Sequence, residues 1–510
     1  MSRRITSFFE LLLLFVVILA LGLGVNWIDT SAAQPVVASG PAEPTTMPQA
    51  AEPTPAPAAE VSTPEDTTTS AAPSATPETQ AASETLTSSA TILPTPVATP
   101  VAFDPQVDLE DHDAPLLVQA PGTVNVLLLG SDAAADDRYA RTDTMIIASI
   151  NPDLPSVSML SLPRDLQVRI PGRADDRLNI AYELGYMREY PGGGPAFLAA
   201  VLRKNFGIRI DHFVRVDFAG FIKAVDTLGG VDVIVECELH DTFPDKTSPT
   251  GKSDLDVYPG IATLSGKQAL WYARSRWSTT DFDRARRQQK VLRALFAKAR
   301  SGNLLQSAFG LYNDFRENVE TSIGISDLPF FIDIATRLDD LAIKNRVVTY
   351  PVIKAFTRPD GAQVLLPTQD TIPYIAESLS PPAGNRAQSR PLVEVINLSG
   401  RPDMEQVAQE RLIWEGFGVY HTEPVSQTVQ RNTQIINYAT TAKGSPISRL
   451  ASIFRVTRQN IEADPDPSSP VVARIVLGEN YNPCPATSTM AGDVPLTPDN
   501  ELIPTATPAP

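Results

Sequence analysis

The chain opens on a nearly unbroken apolar stretch. From Phe8 to Ile28 hydrophobic residues predominate, with Arg3 and Arg4 ahead of them, and a helix rising about 1.5 Å per residue over that length spans about 30 Å, a bilayer core. The arginines predict a single-pass anchor over residues 1–28, with its N-terminus in the cytoplasm and everything else outside. The alternative is a cleaved signal peptide ending near Ser31-Ala32-Ala33, which leaves a secreted protein. Periodicity then vanishes over residues 29–121. It returns as short β-branched runs, VNVLLLG, MIIASI, VSMLSL, FVRVDF and VDVIV, each stopped by Gly, Pro or Asp. Between and after them lie helical patterns, PAFLAAVLRKNFG with Gly207 as its stop, AGFIKAVDTLGG, SGKQALWYARSR and DRARRQQKVLRALFAKAR, then SDLPFFIDIATRLDDL and a last strand, NRVVTYPV. Strands alternating with helices predict an α/β domain over residues 122–381. The short spacing of the first three strands favours a mixed central sheet flanked by helices over a purely parallel one. After a linker at 382–390, the strand LVEVINLSG, the helix DMEQVAQERLIWEGFG with Val407, Ala408 and Leu412 inward, and the strands TQIINYA and ARIVLG predict a small α/β module over 391–481. A disordered tail follows at 482–510.

Composition sharpens the segment without periodicity. The chain holds 46 prolines in 510 residues, far more than helices and central strands accept. Residues 29–121 are rich in Pro, Thr, Ser and Ala, and between Ser31 and Pro100 carry only the acids Glu43, Glu52, Glu60, Glu65, Asp66, Glu78 and Glu84. Such a composition predicts a disordered stalk able to lift a domain from a membrane. It also accounts for a large part of the formal charge of -17, which excludes nucleic acid as a partner unless the basic residues are gathered in one place. Cys237 and Cys484, with four scattered histidines, form no zinc motif. They are read as separate thiols, a disulfide between them being the alternative, and His212 beside a strand reads as a structural hydrogen-bonding group.

The candidate chemistry lies at strand ends and helix starts. Asp132 follows the strand VLLLG and Asp143 precedes the next strand. Two converging carboxylates there can share a hard divalent cation, preferably Mg2+, although turn and cap chemistry is the commoner role for either alone. Arg164 and Asp165 stand after the third strand. Between Trp271 and Arg300 nine basic residues face only Asp281 and Asp283. Helical spacing puts Arg284, Arg287 and Gln288 on the face that continues into the core stripe, so this set is expected to face a site. Arg286, Lys290 and Arg293 are expected on the solvated face. Arg274 and Arg276 mark a helix end, and arginine forks of this kind match pyrophosphate oxygens.

The ordered motifs NVLLLGSD, RTDTM, SLPRD, LNIAYELGY, GIRIDHFVRVDFAGFIKAVDTLGGVDV, LSGKQALWYARSR and DFDRARRQQ resemble the LytR-CpsA-Psr family of bacterial cell-envelope enzymes over about residues 123–300. That resemblance implies a Mg2+-dependent phosphotransferase of the type that attaches teichoic acid to peptidoglycan. It would move a phosphate-linked glycopolymer from a polyprenyl-pyrophosphate carrier to a peptidoglycan sugar hydroxyl. It implies Asp132 and Asp143 as metal ligands and Arg141, Arg164 and Arg276 beside them as catalytic. It further implies Arg164, Arg274, Arg276, Arg284 and Gln288 as pyrophosphate-binding. The partners implied are the membrane, the lipid-linked polymer and peptidoglycan, with the enzyme outside the cytoplasm. The segment WSTTDFD is shorter than the family's usual loop. An apolar groove for lipid has candidates in Leu198, Leu202 and Phe206, and in Phe218, Phe221, Val225 and Leu228. The C-terminal module resembles the domain often found behind this catalytic domain. The alternative functions are a noncatalytic envelope protein binding anionic polymer and a polyprenyl-pyrophosphate phosphatase.

Overall fold

A run apolar at consecutive positions suits a strand covered on both faces, and VNVLLLGS forms one, β1 (Val124–Ser131). The computed structural model describes residues 114–131, 141–276, 279–301, 319–338, 342–381, 390–420, 428–439 and 446–484. The expected anchor and nearly all of the stalk and tail lie outside these residues. Among those described, no helix is long and apolar enough to cross a membrane.

β1 pairs antiparallel with β2 (Thr144–Asn151), which pairs antiparallel with β3 (Ser156–Ser161). A small hairpin, β4 (Gln167–Val168) with β5 (Asp176–Arg177), follows. On its other side β1 runs parallel to β6 (His212–Asp217). Next come β7 (Val231–Val235), β8 (Leu239–Pro244), β9 (Lys252–Val257) and β10 (Gly260–Leu264), paired β7 with β10 and β8 with β9. β11 (Val319–Thr321) and β12 (Ile343–Val347) are the outer strands of the main sheet, ordered β11-β6-β1-β2-β3-β12. β12 is parallel to β3 and β11 antiparallel to β6, so the sheet is mixed, as expected. β13 (Ile353–Thr357) and β14 (Gln363–Pro367) form a further hairpin. The last predicted strand is displaced: it is expected at 345–352, and β12 begins and ends earlier.

Helices cover both faces. On one side α1 (Ile180–Met187), α2 (Gly193–Phe206) and, later in the chain, α7 (Thr371–Leu379) pack on Leu127, Leu129 and Ile147. On the other, α3 (Phe218–Thr227), α5 (Asp281–Ser301) and α6 (Leu328–Arg337) pack on Val126, Leu128 and Ile146. α4 (Gly266–Arg274) joins β7 to β10 and α5 in a third cluster, its start fixed by a capping box of Ser265 and Gln268. Gly207 ends α2 at φ 69°, and a Cβ there would meet the Pro115 carbonyl oxygen at 1.9 Å. The close approach is that of the segment entering the domain: Leu117 donates its amide to Gly207 O at 3.0 Å and Ala114 to Lys204 O at 3.1 Å. Among the described residues, backbone from Ala114 onward is thus already docked on the domain, ahead of the expected boundary at 122.

The C-terminal module is a five-stranded sheet ordered β16-β15-β19-β17-β18, made of β15 (Leu392–Asn397), β16 (Gly418–Tyr420), β17 (Gln434–Asn437), β18 (Ile461–Ala463) and β19 (Ala473–Leu477). α8 (Met404–Trp414) and α9 (Pro446–Phe454) accompany it. Val407, Ala408 and Leu412 are buried in its core, as their spacing predicts. Cys237 and Cys484 are bonded as a disulfide across 247 residues, not separate thiols. The tail expected from 482 is thus tied down at Cys484.

Candidate active site

The pairing register decides where the polar residues meet. Gly130 stands opposite Thr144 and Ser131 beside Asp217, so the ends of β1 and β6 and the start of β2 form one rim. The Asp143 amide donates to Gly130 O at 3.0 Å, fixing that carboxylate at the rim. Arg164, just past β3, reaches it: its Nη1 lies 2.8 Å from Asp143 Oδ1. The Arg164 Nε is 3.5 Å from Asp165 and 3.6 Å from Asp281 at the start of α5. Asp281 also takes Arg284 Nη2 at 3.0 Å, and Asp165 takes Arg177 Nε at 3.2 Å. Carboxylates and guanidiniums therefore alternate from β2 through the β3 end to α5.

The two central arginines differ electrostatically. Burial works against the charge on Arg164, but the hydrogen bond it donates to Asp143 and the fields of Asp281, Asp143 and Asp165 outweigh it and hold its pKa above the ordinary value. For Arg284 burial wins, helped by repulsion from Arg164 and Arg276, and its pKa is lowered despite Asp281 and Asp143. A buried, crowded cation gains most from an incoming anion. Thr144, Arg164, Asp281, Arg284 and Gln288 line a small cavity here together with Asp143 and apolar residues such as Leu162 and Phe282.

A second cavity adjoins the first, since Thr144 and Gln288 line both. It holds about 630 Å3 including its open mouth, between β1, β2 and β6 on one side and α3, α4 and α5 on the other. Its walls are apolar, among them Leu128, Ile146, Val216, Phe221, Leu270 and Leu292; Arg274 and Asp217 add charge. Arg274 lies with its guanidinium 4.4 Å from the Phe218 ring centre. Of the groove candidates, Phe218 and Phe221 line this cavity. Leu198, Leu202 and Phe206 belong to the core on the opposite face of the sheet, and Val225 to the α4 cluster, with Leu228 packed at its margin. Equal hydrophobicity along the chain carried no information about which side of the sheet each would take.

The structure thus brings Asp143, Arg164, Arg284, Gln288 and Arg274 to one rim. Arg276 is exposed just beyond α4 and within electrostatic range of Arg284. Arg141 is 60% exposed and paired with Glu183 at 3.2 Å, apart from the chain of alternating charges. Asp132 lies outside the described residues. Among those described, no group of three His, Cys, Asp or Glu is placed to hold a metal ion. Asp281 and Asp165 escape a sequence reading centred on cations; the spacing of Asp281 three residues before Arg284 on one helix is the available signal.

Two helix-face expectations fail. Arg287 does not face the site: it is buried, donates to Tyr272 O at 3.1 Å and Thr279 Oγ1 at 2.8 Å, and also reaches Ser275 O, tying down the α4 end. Arg286, Lys290 and Arg293 are not solvated. Lys290 is 3.0 Å from the buried Glu236, and Arg293 is 2.9 Å from Glu410 of α8. Helical spacing separates Arg284 and Gln288 from Arg286, Lys290 and Arg293 but misplaces Arg287, and a face opposite the core is solvated only if nothing else covers it, as Glu236 and α8 do here.

Against known proteins, the sequence model described as the LytR_cpsA_psr family matches residues 79–378, more than half of the chain. The chain belongs to the LytR-CpsA-Psr family. The match ends before the C-terminal module. Its curated relatives include the polyisoprenyl-teichoic acid–peptidoglycan teichoic acid transferase TagU of Oceanobacillus iheyensis, 36% identical over 42% of this chain and 62% of that protein. The regulatory protein MsrR of Staphylococcus aureus is 34% identical over 37% of this chain and 53% of its own length. This LytR-CpsA-Psr chain therefore spans less than two thirds of either relative. A crystal structure of Bacillus subtilis TagV aligns at 27% identity and TM-score 0.41, over 50% of this chain and 95% of that one. TagT bound to LI-WTA aligns at 25% identity and TM-score 0.39, over 54% and 91%.

Proposed function

We propose that this protein transfers a phosphate-linked glycopolymer from a polyprenyl-pyrophosphate carrier to a sugar hydroxyl of peptidoglycan. The observation that carries this reading is the adjacency of an apolar cavity and an arginine-carboxylate rim that share Thr144 and Gln288. A lipid pyrophosphate is an apolar chain joined to a multiply charged head, and needs both environments at that distance. The names of TagU and its like, as teichoic acid transferases, agree with such a substrate.

In the reaction the acceptor oxygen forms a bond to the polymer-bearing phosphorus while the bond from that phosphorus to the bridging oxygen breaks. Polyprenyl monophosphate leaves, and the hydroxyl proton passes to solvent. Negative charge grows on the leaving phosphate and the transferring group, so preset cations act most strongly in the transition state. Arg164 is fixed by three carboxylates, and Arg284 lies in a desolvated position where its charge is under-compensated. Arg274, at the cavity mouth, and Arg276 would hold the head group, and Gln288 would orient it by its amide. Arg141 would approach from the exposed side.

For a cation, the described residues supply one carboxylate of the expected pair, Asp143, with Asp132 as its partner by sequence. An all-oxygen, sparse donor set suits Mg2+, which takes most of its remaining ligands from water and phosphate. Such an ion would contribute Lewis-acid stabilisation of the phosphoryl oxygens. Location outside the cytoplasm, anchored by residues 1–28, belongs to the same reading; the Cys237–Cys484 disulfide supports an oxidising compartment.

The test is turnover of a synthetic polyprenyl-pyrophosphate-linked saccharide, with and without a peptidoglycan fragment, in Mg2+. Acceptor-dependent release of polyprenyl monophosphate is expected. Acceptor-independent release would mark a phosphatase, and tight binding without release a noncatalytic polymer-binding protein.

A further inference from the structure

The face of α5 turned away from the site forms one part of the contact between the catalytic domain and the C-terminal module; α8 also packs on β7 and β10. Arg293 Nη1 and Glu410 Oε1 of α8 are 2.9 Å apart, with 0% and 3% of their side chains exposed. One turn earlier, Lys290 Nζ lies 3.0 Å from Glu236 Oε2, just past β7, and Arg286 and Arg411 approach the same carboxylate at 3.7 and 4.0 Å. The Arg286 guanidinium also covers the Trp414 ring at 4.7 Å. Cys237, next to Glu236, is bonded to Cys484.

Withdrawing two ions from water costs several kcal/mol for each, and their attraction compensates only when both stand in register. A module held by its connecting chain alone has no need of such pairs. Arg286 and Arg293 meet the module at Trp414 and Glu410, and Lys290 between them meets Glu236 of the catalytic domain, so a slip or rotation of α5 by one residue would break all three contacts at once. Arg284 and Gln288 interleave with them on the same helix, and a packed helix moves as a rigid body.

We propose that the C-terminal module is a brace that sets the position of α5, and that Glu410 is a positioning residue for Arg284 and Gln288. The positioning claim rests on the site reading given above; the brace itself does not. The Cys237–Cys484 bond fastens the end of the module beside β7. The module thereby acts on the site through the helix, without touching substrate.

The experiment uses the full chain with Glu410→Gln, Glu410→Asp and the reversed pair Arg293→Glu with Glu410→Arg. All assays run where denaturant curves show each variant folded. For lipid-pyrophosphate turnover, Glu410→Gln is expected to lower kcat about tenfold with KM within about twofold, an effect of about 1.4 kcal/mol on the barrier. Glu410→Asp and the reversed pair should each recover at least half of the loss. Normal kcat in a folded Glu410→Gln protein would overturn the positioning role. Amide hydrogen exchange over residues 284–293 is the readout that needs no turnover. It should quicken at least tenfold in Glu410→Gln, and also in the wild type after reduction of the disulfide, with β1 and β2 unchanged. Unchanged exchange in both would overturn the brace. A wild type that does not turn over the lipid but shows the quickened exchange would sink the functional reading and support the brace. If Glu410→Gln fails to fold, Cys237→Ser with Cys484→Ser serves in both assays with the same expected outcomes.

Discussion

On the site side of α5, Arg284 is paired with Asp281 and in the field of Asp143, yet burial, with Arg164 and Arg276 nearby, lowers its pKa. On the opposite side, Arg293 is sealed against Glu410 with both side chains excluded from solvent. The same residue type on the same helix stands among other cations in one place and in a sealed ion pair in the other. Burial of a charge therefore does not mark a binding site. What marks it is burial with incomplete compensation beside a cavity, which holds for Arg284 and fails for Arg293. The Glu236 cluster lies between these cases, with three cations, Lys290, Arg286 and Arg411, around one carboxylate.

The contrast can be broken most forcefully at its satisfied end. Arg293→Met leaves Glu410 buried without a partner and should cost about 3–5 kcal/mol of unfolding free energy, whereas Arg293→Met with Glu410→Met should recover most of it. Urea denaturation of both proteins measures this, and equal losses would mean that the pair is not coupled.

Acid should expose the intermediate case. Burial alone would raise the Glu236 pKa, but the charges of Lys290, Arg286 and Arg411 overcome it and hold it at about 2. The same crowding, after burial, lowers Lys290 through Arg286 despite Glu236. Because the folded pKa of Glu236 lies below its unfolded value, its stabilising contribution is complete above the ordinary carboxylate range and is lost as pH falls from about 4.5 toward 2. That loss is on the order of 3 kcal/mol. Urea midpoints should fall across this window in the wild type, and Glu236→Gln should flatten that part of the profile.

At the uncompensated end, Arg284→Ala should lower kcat/KM about a hundredfold, equivalent to about 2.7 kcal/mol. It should leave stability nearly unchanged, since it removes a cation that its surroundings disfavour. The reverse pattern, a stability loss with normal kcat/KM, would make Arg284 a structural residue and not part of the site. The smallest expected effect is on stability in Arg141→Ala. That residue is mostly exposed and its pair with Glu183 is screened, so a change below about 1 kcal/mol is expected by the same denaturation assay.

Most strands of the sheet, most of its flanking helices and the inward face of α8 could be read from hydrophobic period, because burial on a helix or strand repeats with its own geometry; the edge strand β11 could not. The short spacing of VNVLLLG, MIIASI and VSMLSL already implied a mixed sheet. The motifs around Asp143, Arg164, Arg274, Arg284 and Gln288 pointed to residues that do converge. Asp281 and Asp165, which with Asp143 hold Arg164, were visible in the sequence but without a role there, since a local sequence does not say which distant charge it will meet. The same limit applies to Arg286, Lys290 and Arg293. Their period correctly separated them from Arg284, but whether that face meets water or α8 depends on a contact between segments more than a hundred residues apart. Likewise, two cysteines separated by 247 residues become a disulfide only when both chain segments reach the same edge of the fold. The sequence by itself determined local period, chemical type and spacing; tertiary structure alone decided compensation, because the worth of a charge depends on which partners and how much water the completed fold leaves around it.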